Sequence, residues 1–247
     1  MRASSEDGFL AGKLKIRQPQ TGFRAGLDAV VLAAAVPAAS GDEVLELGAG
    51  VGTAALCLAR RVAGLRVLGV EIVRELVDIA KKNAETNALA DRVAFADADA
   101  LALPATLRRP FDHVFCNPPF YGRQGEVSPD PGRARAKMDG GRLADWLKSG
   151  LKRARSGGSF TAIVAADRLA ESLSVLPEGG VTVFPLWPRA GEAAKRTILQ
   201  VRIGARTPLR LLPGLILHAE GGYTAEADAV LRGEAALSAL AARPLRK

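Results

Sequence analysis

Cysteine and histidine are scarce, at two residues each in 247. Cys57 and Cys116 stand far apart in apolar surroundings. That excludes a disulfide scaffold and a cysteine-rich zinc module, and predicts a reducing, cytoplasmic setting. His113 and His218 have no partner at metal-ligand spacing, so no metal is expected and both read as strand filler. Met1 to Leu10 is polar and acidic and lacks the apolar stretch of a signal peptide. The longest apolar run, Ala29 to Ala39, is broken by Pro37 and is too short to cross a bilayer. No repeat, low-complexity linker or domain boundary is evident, which predicts one soluble domain with no membrane partner.

The 48% hydrophobic and 24% charged content is that of a globular chain long enough to bury a sizeable core. A formal charge of +8 suits a polyanionic partner. Arginine and alanine are abundant, a bias that genomic base composition also produces, so the charge carries only part of the argument. Short apolar runs at Glu43–Leu47, Arg66–Glu71, Arg92–Ala96, Phe111–Cys116 and Ser159–Ala165 read as strands. Helical periodicity fills Val73–Asn87 and Arg142–Ala154 between them. The alternation predicts an α/β fold, a mostly parallel sheet with helices on both faces. Gly157-Gly158 is expected to end a helix before the fifth strand. Val181–Pro185, Thr197–Ile203 and Leu215–His218 then read as an antiparallel edge, and Thr224–Ala242 as a closing helix capped by Thr224.

The first strand runs into Gly48-Ala49-Gly50-Val51-Gly52, and the helix Thr53–Arg61 follows. Glycines there let a ligand approach the backbone beside a helix N-terminus. Glu71 closes the next strand, where a carboxylate accepts ribose hydroxyls. The spacing is G-x-G-x-G, not the dinucleotide G-x-G-x-x-G, and Glu46 precedes the loop. This resembles motif I of class I S-adenosylmethionine-dependent methyltransferases. The resemblance implies a Rossmann-like, seven-stranded sheet and S-adenosylmethionine as cofactor. It implies Gly48, Gly50 and Gly52 beneath the methionine moiety, Glu46 near its amino group, Glu71 on the ribose with Ile72 beside it, and Asp99 with Ala100 at the adenine. Asp97 competes with Asp99 for the adenine, and either also suits a turn cap.

The fourth strand ends in Asn117-Pro118-Pro119-Phe120. Two prolines fix their own φ angles and push Asn117 towards extended backbone, at the sheet edge where α/β ligands bind. The tetrapeptide resembles the N-P-P-[FY] signature of methyltransferases acting on an amino nitrogen conjugated to a π system. Such a nitrogen is a poor nucleophile because its lone pair is delocalised. The Asn117 side-chain oxygen and the Pro118 carbonyl are suited to accept its two N–H bonds, Pro119 to stiffen the turn, and Phe120 to stack on a flipped base. Asn117 also borders the cofactor in this reading. Cys116, with no base near it, reads as a small buried apolar residue.

Only about 40 residues precede the first strand, too few for the helical domain that glutamine methyltransferases of release factors carry. The extra module of ribosomal guanine-N2 enzymes and the recognition insertion of DNA adenine enzymes are also missing. The chain most resembles bacterial tRNA (adenine-N6)-methyltransferases that modify the anticodon-loop adenosine beside the anticodon of a valine tRNA. The shared stretches include Leu14 to Pro19 and Phe23 to Val30. The latter implies an N-terminal segment, residues 1–40, closing over a core at 41–165, with Phe23 and Asp28 near the methionine end, and 166–247 completing the single domain. Between Arg123 and Arg155 nine basic residues face four acidic ones, a net of +5 beside the tetrapeptide. Arg133, Arg135 and Lys137, with Lys195 and Arg196, are the expected tRNA contacts. Two alternatives stay open: methylation of another planar amine (guanine N2 or a glutamine amide), and a non-catalytic RNA-binding protein that keeps the cofactor site. The oligomeric state is not legible.

Overall fold

The computed structural model describes residues 4–21, 24–119 and 143–237. A hairpin opens it, β1 (Ser4–Phe9) with β2 (Leu14–Pro19), followed by α1 (Leu27–Ala35). Next come β3 (Glu43–Leu47), α2 (Thr53–Arg61), β4 (Arg66–Glu71), α3 (Arg74–Thr86), β5 (Val93–Asp97) and β6 (Phe111–Cys116). After residue 142 come α4 (Leu143–Arg153), β7 (Ala154–Ala165), α5 (Leu169–Leu173), β8 (Val181–Trp187) and β9 (Arg196–Arg202). Four two-residue strands, β10 (Arg210–Leu211), β11 (Leu215–Ile216), β12 (His218–Ala219) and β13 (Gly222–Tyr223), lead to α6 (Ala225–Leu231).

The main sheet has the order β10-β8-β9-β7-β6-β3-β4-β5, with β11 also on β8. Its seven long strands are parallel except β9, which runs antiparallel to both β7 and β8. The antiparallel strand therefore lies inside the sheet, and the strand beyond it, β8, is parallel to the rest. The segment expected as a third edge strand, Leu215–His218, is divided: Leu215–Ile216 adds to β8 in parallel, and His218 starts the β12–β13 hairpin.

Consecutive strand residues point to opposite faces, and both faces are covered. Val44, Phe115 and Ile163 face a core shared with α1, α2 and α3. Leu45, Val114 and Phe160 face a second core beneath α4. Each such fully buried side chain contributes about 1.5–3 kcal/mol. These two layers hold the carboxyl ends of β3, β4, β5 and β6 rigidly along one edge.

The N-terminal hairpin is held by an unusual device. Asn83 and Asn87, one turn apart on α3, accept from Arg17 N and Lys15 N at 2.9 Å each. They donate back to Arg17 O at 3.0 Å and Lys15 O at 2.7 Å. Two carboxamides thus take the place of a neighbouring strand along β2, while Leu14 and Ile16 are buried beneath.

Three sequence expectations are corrected. Gly157-Gly158 lies within β7, where the pairing with β6 shifts register between Phe111 and His113. Thr224 does cap α6, accepting from Ala227 N, but the helix stops at Leu231 before Gly233 in the left-handed region. His113 is more than strand filler: its Nδ1 meets Ser159 Oγ at 2.8 Å and its Nε2 meets Asp42 Oδ2 at 3.1 Å. Burial holds this imidazole below its ordinary pKa. The network stitches the residue before β3 to β6 and to the middle of β7, away from the glycine loop.

Candidate cofactor and acceptor site

The glycine loop needs its glycines for three different reasons. Gly48, Gly50 and Gly52 all have positive φ, at 71°, 55° and 83°. A Cβ on Gly48 would lie 2.8 Å from the Trp146 ring, and one on Gly52 would drive into Phe95. A Cβ on Gly50 would meet nothing within 4 Å. Gly50 is the open floor of the loop, so a ligand reaches bare backbone there. Val70 O fixes the start of the loop by accepting from Gly48 N and Ala49 N, both at 2.9 Å.

Glu71 closes β4 beside this floor. Its carboxylate accepts from Gly50 N at 3.0 Å and Val73 N at 2.9 Å. Burial raises its pKa, and these backbone donors oppose the rise. A carboxylate with two of its lone pairs committed to the backbone is fixed in place and keeps acceptor capacity for a ligand. Ile72, next in sequence, is 61% exposed, an isolated apolar side chain beside the mouth of the loop. Asp97 pairs in register with Glu71. Asp99 accepts from Leu101 N at 2.8 Å, so it caps the turn that carries Ala100. Glu46 points inward: its buried carboxylate accepts from Ala55 N at 3.0 Å in the first turn of α2. Burial pushes its pKa well up, with the Glu71 charge adding to the rise.

Leu47 pairs with Cys116 across β3 and β6, which sets Asn117 beside Gly48 as the two strands end. Asn117 Oδ1 is buried and has no hydrogen-bond partner. Such a group costs about 1–3 kcal/mol unless something donates to it. The prolines that follow offer no N–H, so the chain itself supplies no donor from those two residues. Burial, with Glu46 adding to it, pushes the Cys116 thiol far up, which removes it as a nucleophile. Phe120, Phe23, Arg133, Arg135 and Lys137 lie outside the described residues.

Asp28, assigned to the methionine end, and Arg196, assigned to the tRNA, lie 3.1 Å apart as an ion pair. Lys195 is exposed beside them. Two groups escaped the sequence reading. Thr53 Oγ1, at the first residue of α2, and Trp146 Nε1, beside Gly48, are both buried without a partner. Trp146 was visible only as part of the apolar stripe of α4. No group of metal-ligating side chains occurs among the described residues, and no helix among them is long and apolar enough to cross a membrane.

This geometry has counterparts. A model of a methyltransferase domain matches residues 44–125. A solved protein of Agrobacterium tumefaciens, described as a predicted O-methyltransferase, superposes with a TM-score of 0.71 at 26% identity, over 85% of this chain and 97% of its own. An S-adenosylmethionine-dependent O-methyltransferase of Thermotoga maritima shares the fold at a TM-score of 0.53 and 18% identity, over 76% and 69%. The chain has the Rossmann-like fold of the class I S-adenosylmethionine-dependent methyltransferases. Within that class its sequence is similar to proteins named tRNA1(Val) (adenine(37)-N6)-methyltransferase. The one from Aeromonas hydrophila is 27% identical over 80% of this chain and 84% of its own length. The one from Shewanella amazonensis is 34% identical over 48% of this chain and half of its own length. The described residues suit the cofactor: an open glycine floor, a fixed carboxylate beside it, and an orphaned buried acceptor at the end of the neighbouring strand.

Proposed function

We propose that this protein transfers a methyl group from S-adenosylmethionine to N6 of an adenosine in tRNA, at the anticodon-loop position beside the anticodon of a valine tRNA. The observation that carries the reading is the buried, unpartnered Asn117 Oδ1 beside Gly48. Similarity to the Aeromonas and Shewanella proteins and the +8 charge support tRNA as the substrate. A tRNA substrate suits a cytoplasmic protein.

The residue roles follow. Gly48, Gly50 and Gly52 hold the cofactor's methionine end from below. Glu71 accepts its ribose hydroxyls, Ile72 and Ala100 line its adenine, and Asp99 keeps one oxygen for the adenine amino group. Glu46 faces the methionine ammonium from the base of α2. The N-terminal segment covers the pocket. Bound there, the cofactor supplies an electrophilic methyl group.

Adenine N6 presents two N–H bonds. Asn117 Oδ1 accepts one and Pro118 O the other, which favours a pyramidal nitrogen with its lone pair directed at the methyl group. Phe120 stacks on the extruded base, and unstacking that base from the loop costs a few kcal/mol. No side chain in this set is a general base. The carboxamide and the carbonyl only position the amine, and the released proton passes to water after transfer.

The test is methyl transfer from labelled cofactor into tRNA lacking its modifications, followed by nucleoside analysis. N6-methyladenosine is the expected product. Label in a guanosine, in release-factor protein, or nowhere overturns the reading.

A further inference from the structure

Away from the glycine loop, a cleft of about 350 Å³ opens between α4 and the chain that follows β5. Lys148, Lys152 and Arg153 line it from the helix, with Leu101 and Leu103 opposite and Asp145 as the single acid. Lys148 and Lys152 are one helical turn apart, about 6 Å along the axis at 1.5 Å per residue, and both are exposed. Among the described residues no ion pair joins Lys148, Lys152 or Arg153 to an acid. Arg24, Arg109, Arg155 and Arg196 elsewhere are each joined to one. Three cations left unneutralised on a concave surface repel one another and form a seat for an anionic chain.

The cleft is tied to the site. Ser149, on its wall, donates to Ala100 O at 2.6 Å and so joins the helix to the turn after β5. Trp146, nearly one turn earlier on the same helix, underlies Gly48. α4 thus touches the glycine loop with its first turns and presents its cations to solvent with its last.

Resting on the tRNA reading above, we infer that this cleft is the docking groove for the phosphodiester backbone of the substrate RNA, with Lys148, Lys152 and Arg153 as the phosphate-contacting residues. The groove holds the strand that flanks the extruded nucleotide. Lysines suit this task, since they meet phosphates as point charges without reading sequence.

The test compares wild type with Lys148→Gln/Lys152→Gln/Arg153→Gln and with the corresponding triple Glu variant. The affinity for unmodified tRNA is measured across a salt series. Thermal unfolding and binding of S-adenosylhomocysteine serve as controls. Each phosphate contact contributes about 0.7–0.9 to the salt slope. The Gln variant is therefore expected to bind tRNA at least about tenfold more weakly at low salt, with a slope shallower by about 2–3. The Glu variant is expected to be weaker still, with both controls unchanged. A folded Gln variant that retains wild-type affinity and slope overturns the docking groove, while methylation of tRNA adenine by wild type leaves the proposed function standing. Wild type that neither binds nor methylates tRNA overturns the function and the groove together.

Discussion

Arg196 Nε lies 3.1 Å from Asp28 Oδ2, joining the start of β9 to the first turn of α1 across 168 residues of sequence. The pair sits on the same edge of the sheet as Asn117, because Arg196 is in register with Ala165 at the end of β7. It holds the N-terminal segment against the strands that form the site. Both side chains are about one-quarter to one-third exposed, so water weakens the attraction. Asp28→Asn and Arg196→Gln are each expected to cost about 0.5–1 kcal/mol. In a thermal-unfolding cycle the double variant should cost less than the sum of the two, because the second substitution removes a partner already lost.

Asn117→Ala is expected to lower turnover by about 10²–10³-fold, the usual effect of deleting one such polar contact. Calorimetric binding of S-adenosylhomocysteine should change little, since in the proposed mechanism the carboxamide faces the amine. Full methyl-transfer activity in this variant would remove Asn117 from its assigned role.

Glu46 gives a pH prediction. Its carboxyl is held well above the ordinary 4.5 by burial, so the folded protein binds more protons there than the unfolded chain. Stability from this group is complete at acidic pH and falls as pH rises from 4.5 through the elevated value. Glu46→Gln keeps an oxygen for Ala55 N and removes the charge. Its thermal midpoint should exceed that of wild type at pH 8 by about 2–4 °C, the shift that 1 kcal/mol produces in a domain of this size, and the two should converge near pH 4.

Gly48→Ala combines a positive φ with a Cβ 2.8 Å from Trp146. The backbone term alone is about 1–2 kcal/mol. Adding Trp146→Leu should recover part of the loss in chemical denaturation by opening the space, although neither change does so for the φ penalty.

Asn83→Leu preserves size and removes the polar bracket. Arg17 N, Arg17 O and Val51 O would each lose a partner. Each group left buried and unpaired costs about 1–3 kcal/mol, and hydrogen exchange should show β1 and β2 opening first.

Much of this was legible from the chain. The bounds of β3, β4, α2 and β6 agree with the periodicity, because each is a short apolar element closed by glycine, proline or charge. The hairpin was invisible: β1 alternates only between exposed and half-buried residues, and β2 is held by amides from α3 some 70 positions away. Asn83 falls on the apolar face of its helix, but periodicity does not disclose what a buried amide bonds. At the site, the residue types and spacing pointed to the ligands. Which acceptor is orphaned, and that Asp28 and Arg196 spend their charge on each other, depends on contacts between distant elements.

The Asn83 amide donates to Arg17 O and to Val51 O, both at 3.0 Å. One carboxamide therefore buttons β2 to the glycine loop. The N-terminal stretch is structural timber for the pocket floor. Clipping the chain at Pro19 would loosen the floor itself, so such a shortened protein should lose grip on its methyl donor even if the remaining sheet folds.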